Sequence, residues 1–163
     1  MTIRIKLEII AKGISLALEK AEQHFSSAEA LVSMDSLDDA IILIEFGIEE
    51  FGRAVALREK LKQGSEEIEK DLLRSHKYKY DKAWSVLPQE LKTIYQGNFD
   101  PAIFDPRIFD AGRETISPAT RLDAGFVNYD PQSKEWKTGV RVETEKIQQI
   151  IEEFRKRIKK FSL

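Results

Sequence analysis

An all-α fold, a four-helix bundle with an irregular crossover and a small β-hairpin before the last helix, is predicted by three observations. Apolar residues recur at alternating spacings of four and three in two long segments. Glycine and capping residues punctuate the first half of the chain at helix-length intervals. Three of the five prolines crowd into one later stretch, GNFDPAIFDPRIFDAGRETISPATR. With 163 residues, 42% hydrophobic and 33% charged, the chain is long enough for one core, and a single domain over residues 1–163 is expected.

The first helix carries the seam Leu7, Ala11, Ile14, Leu18, Ala21, Phe25, Ala28 and Val32. SMDSLDDA interrupts it. Ser36 with Asp39 three positions on reads as a capping box that opens a second helix through about Leu61. Gly64 suits a C-terminal stop, and Ser65 followed by two glutamates suits the N-cap of a third helix running to about Val86, before Leu87 and Pro88. LPQELKTIYQ reads as a short helix, and the proline-rich stretch with its repeated FDP reads as a crossover or partner-facing loop. GFVNYDPQSKEWKTGV alternates around DPQSK as a hairpin does. Ile147, Ile150, Ile151, Phe154, Ile158 and Phe161 stripe the last helix, with acids early and RKRIKK late, as the helix dipole prefers.

Composition narrows the function classes. The absence of cysteine excludes disulfides and thiolate-bound zinc. MTIRIKLEII lacks a signal peptide's apolar run, and no stretch approaches the roughly 20 apolar residues of a membrane span, so a cytoplasmic protein without a membrane partner is expected. A net charge of −2 sets up no global field for nucleic acid. Four helices with inward acids could house a carboxylate-bridged metal pair. However, Ala21 and Leu73, not glutamates, stand three residues before His24 and His76, so neither a metal nor another cofactor is expected.

IEFGIEEFGRA sets two adjacent acids in an apolar helix, and an ionised carboxylate buried without a partner costs several kcal/mol. At about 100° per residue, Glu50 falls among Leu43, Phe46, Ala54 and Leu57, whereas Glu49 shares the narrower polar strip with Glu45 and Arg53. The same projection sets His76 among Leu72, Leu73, Tyr80 and Ala83. In an antiparallel hairpin turning near Gly64, Glu50 and His76 lie about 20 and 19 Å from the turn and meet. Such a pair fixes the imidazole's tautomer and serves proton transfer; equally, it satisfies two core polar groups and pins the helix register. Arg53, Arg74, Lys77, Lys79 and Lys82, with Tyr78 and Tyr80 interleaved, could hold a phosphate backbone or form a solvated basic face. His24, at the edge of the first seam, reads as a half-buried structural histidine. The second helix is apolar over more than half its circumference, which a homodimer would explain.

At these residues the chain resembles the AbiV-type abortive infection proteins of the HEPN superfamily. EEFGRA resembles the family's EE-L-G-K-A signature, RSHKYK its S-H-K-x-K element, and RLDAGFVNYD with EWKTG its later R-x-x-x-x-Y-V-D segment. The resemblance spans about three quarters of the chain. It implies a HEPN-like bundle, commonly a homodimer, in antiphage defence. Many relatives are metal-independent ribonucleases with an arginine about four to six residues ahead of a histidine; here Arg74 precedes His76 by two, and Lys70 stands at the expected distance. Two readings follow from the resemblance. In the first, an RNA-cleaving enzyme, His76 is general acid or base, Glu50 orients it, and Arg53, Lys79 and, from the later motif, Arg121 hold phosphate. In the second, a non-catalytic module presents residues 97 to 135 to a phage or host protein.

Overall fold

The computed structural model describes residues 1–86, 124–125, 127–138 and 144–162. The short helix over LPQELKTIYQ, the FDP stretch and Arg121 all lie outside the described residues. Helices α1 (Leu7–Ser33) and α2 (Leu37–Lys62) are joined by a three-residue turn in which Asp35 takes a left-handed conformation, φ 61°. They pack antiparallel, with His24 against Phe46 near one end and Leu57 beside Gly13 near the other. The α1 seam is buried as its spacing predicts, except that Ile10 and Ala17 take the inward positions while Ala11 faces solvent. Ser36 is the N-cap of α2, but its hydroxyl donates to the Asp39 carboxylate at 2.7 Å instead of accepting a backbone N–H.

The expected third helix is not one helix. Gly64 does stop α2, at φ +65°. The chain then runs extended: β2 (Glu67–Glu69) pairs antiparallel with β1 (Thr2–Arg4), with Ile3 opposite Ile68, and Ile68 enters the core. Ser65 is therefore not a helix N-cap; its hydroxyl accepts from the Glu67 amide at 3.3 Å. Helix follows in two pieces, α3 (Lys70–Arg74) and α4 (His76–Ser85).

The last helix, α5 (Thr144–Ser162), lies against α1 and α2. Its Phe154 stacks on Phe25 and meets Phe51 and Trp84 edge-on, and Phe161 meets Phe51 the same way. Each buried aromatic of this kind stabilises the fold by about 1.5–3 kcal/mol. Arg155 ties α5 to α1 through Glu22 and Glu29, at 2.7 and 2.5 Å. The helices form the all-α bundle expected, and the predicted hairpin is present as β3 (Val127–Asp130) and β4 (Glu135–Thr138), with Tyr129 opposite Trp136. Helix α2 is the central one. It contacts α1, α3, α4 and α5, so its wide apolar surface is covered within the chain and does not itself call for a partner.

Candidate functional site

Ser75 builds the site by ending one helix and starting the next. Its amide donates to the Asp71 carbonyl at 2.8 Å, closing α3. Its side chain accepts from the Tyr78 amide at 3.2 Å, capping α4. The break puts His76 at the first position of α4 and turns the chain. Contacts then advance in the same order along both helices: His76 at Glu49, Lys79 at Gly52, Lys82 at Glu59. Thus α4 crosses α2 in the same sense, and the antiparallel hairpin inferred from one continuous helix is incorrect.

Gly52 makes the crossing close. A Cβ there would lie 1.7 Å from the Lys79 carbonyl oxygen and 3.1 Å from the Ala83 amide nitrogen, so the two main chains touch with no room for any side chain. One turn before Gly52 on α2, Glu49 is brought against α4. His76 Nδ1 lies 2.6 Å from Glu49 Oε2, and Lys79 Nζ lies 3.2 Å from the same oxygen. The side chains of Glu49 and Lys79 are each only 4% exposed, whereas that of His76 is 57% exposed. An ammonium offers donors only, so Oε2 accepts; Nδ1 then carries the donating hydrogen, which in the neutral ring leaves the lone pair on Nε2. The arrangement is a buried acid that fixes the tautomer of an accessible imidazole.

The acid that meets His76 is therefore Glu49 and not Glu50. Projection placed Glu49 on a polar strip and took that strip to face water. It is instead the surface that α4 covers, and Glu45, one turn earlier, is fully buried as well. Glu50 turns the other way and bonds Arg53 at 3.0 Å. Both line a cleft of about 610 Å³ beside α1, with Ile9, Gly13, Leu16 and Leu73.

The remaining candidates divide. Lys79 was expected to hold phosphate, but its amine is inside the protein on Glu49. Lys77 pairs with Asp81, Lys82 with Glu59 at 2.5 Å, and Arg74 is exposed. His24 is half-buried beside Phe46, and burial, helped by the Lys20 charge, holds its pKa below the usual histidine range. No cluster of three or more His, Asp or Glu placed to hold a metal ion occurs among the described residues. No helix among them is long and apolar enough to cross a membrane.

Sequence reasoning missed Glu49 and the structural part of Lys79. The available signal was Gly52. A glycine inside a helix, three residues from a pair of acids, marks a close backbone approach and so a covered face. Glu49, Gly52, Ser75, His76 and Lys79 all fall within the two quoted segments EEFGRA and RSHKYK, and the structure makes one physical unit of them. The family model for AbiV HEPN domains matches residues 9–159. No curated protein and no solved structure matches the chain.

Proposed function

Because the chain belongs to the AbiV family of HEPN domains, we propose that it acts in antiphage defence as a metal-independent ribonuclease with His76 as its proton-transfer group. The observation that supports this reading is the 2.6 Å contact from Glu49 to Nδ1 of a ring that remains 57% exposed. Nε2 would take the proton of an RNA 2′-hydroxyl as its oxygen bonds the adjacent phosphorus. The bond to the 5′-oxygen breaks, and that oxygen takes a proton from water. Glu49 acts as a positioning residue. In this reading Arg53, one turn along α2 from Glu49 and about a third exposed, would leave Glu50 to meet phosphate. Purified protein incubated with total cellular RNA in chelator should yield fragments ending in 2′,3′-cyclic phosphate. His76→Gln, which keeps a polar group but cannot shuttle protons at neutral pH, should lose them. Equal cleavage by a folded His76→Gln variant, or none by the wild type, rules the reading out.

A second reading, a bundle that works by association, is favoured by a different observation. Ile9 and Leu16, 53% and 54% exposed, stand seven residues apart on α1 and line the cleft that holds Glu50 and Arg53. The cleft also carries Glu19 and Lys20, so its charges balance and suit a second copy of the same surface. In this reading the chain pairs with itself through α1, and the molar mass of a Leu16→Glu variant in solution is the measurement.

A further inference from the structure

We propose that buried Lys79 is a positioning residue that keeps His76 available as a base by sharing the charge of Glu49. The purpose of this device rests on the reading of His76 as a proton-transfer group, but its measurement does not. A carboxylate facing an imidazole alone would favour the imidazolium, leaving Nε2 without its lone pair. Here the same oxygen, Glu49 Oε2, also receives the Lys79 ammonium, and that lysine is as deeply buried as the acid. Glu49 and Lys79 form a buried ion pair that is already neutral. A proton arriving on His76 therefore adds a second cation beside Lys79 instead of completing a neutral pair.

The lysine starts from a fixed point. Its carbonyl is pressed against Gly52, three residues from Glu49, so the main chain fixes the root of its side chain. Other titratable groups stand on each element around His76. On α2 stands Glu45, while Glu50 turns away and is bonded to Arg53. On α3 stands Arg74, and on α4 stand Tyr78 and Lys77, the latter bonded to Asp81. The N-terminal end of α4 itself also disfavours a cation at its first residue. All of these stay constant when Lys79 alone is changed, so the response isolates its charge.

The test is an NMR titration of the His76 ring in the full-length wild type, Lys79→Met and Lys79→Gln, without RNA. Removing the cation should move the His76 midpoint upward by about one pH unit in both variants. Lys79→Gln keeps a donor toward Glu49, so an upward shift there separates charge from packing. An unchanged or lowered midpoint in a folded variant overturns the proposal. Should neither variant fold, the side-chain nitrogen signal of Lys79 in the wild type at pH 7 decides: an ammonium supports the proposal, and a neutral amine, which exerts no such field, overturns it. Cleavage is scored separately. If the wild type cuts RNA, the acidic limb of kcat/KM in Lys79→Gln should rise with the His76 midpoint. If it cuts none, the ribonuclease reading falls while the titration still judges Lys79.

Discussion

On one side of α2, α4 closes over Glu49 so tightly that the two main chains touch, and the acid's charge is met by Lys79 and His76 inside the protein. On the other side the next residue, Glu50, lines an open cleft and pairs with a partly exposed arginine of its own helix. The two acids are one peptide bond apart. A step of about 100° is enough to give one a buried, geometrically fixed role and the other a surface one. The difference teaches that a carboxylate's environment is decided by the element that covers it, not by the hydropathy of its own helix.

Adding one methyl group tests the closed side most severely. Gly52→Ala should cost more than about 3 kcal/mol in urea denaturation, because backbone, not a flexible side chain, occupies the space. Helix propensity alone argues the opposite way, since alanine exceeds glycine by about 1 kcal/mol within a helix. A neutral or stabilised variant would show that α2 and α4 do not touch there. The two acids give the next largest contrast. Glu49→Ala leaves Lys79 buried without its counter-charge and should cost about 3–5 kcal/mol. Glu50→Ala breaks a partly exposed pair and should cost less than about 1 kcal/mol. Equal losses would erase the distinction between the two sides. The smallest effect on stability belongs to the cleft, where Leu16→Glu should change unfolding by no more than about 0.5 kcal/mol yet convert a dimer to a monomer by light scattering. A wild type that is monomeric at high micromolar concentration, or a variant that stays dimeric, removes α1 as the pairing surface.

The parts of the fold legible in the sequence were those with long periodic signals. The α1 and α5 stripes and the span of α2 could be read because each repeats over several turns. The hairpin was legible from DPQSK between alternating runs, and Lys134 there adopts φ 56°. The strands β1 and β2 were not, since three residues carry too little alternation to register. Ser75 was read as helix interior because nothing local separates an interior serine from a capping one until the next turn's direction is known. That break carried an antiparallel crossing forward, whereas the choice of Glu50 came from taking the polar strip of α2 to face water. Arg157, counted among the basic residues closing α5, is fully buried, with Nη1 on the Glu153 carbonyl at 2.9 Å. Its neighbours Lys156 and Lys160 follow the expected pattern and remain exposed.

The pairing of β1 with β2 also sets an order in time. The contacts between α1 and α2 lie within a single hairpin and can form as soon as both helices exist. Thr2 and Glu69 lie about 65 residues apart, a closure that would cost a flexible chain about 4 kcal/mol of entropy and that the α1–α2 hairpin eases by bringing its two ends together first. During synthesis, at roughly 5–20 residues per second, residues 2–4 wait several seconds for their partner strand, and His76 follows that strand out. The imidazole thus reaches Glu49 only after α1 and α2 are already made, so a growing chain holds the acid well before it holds the base.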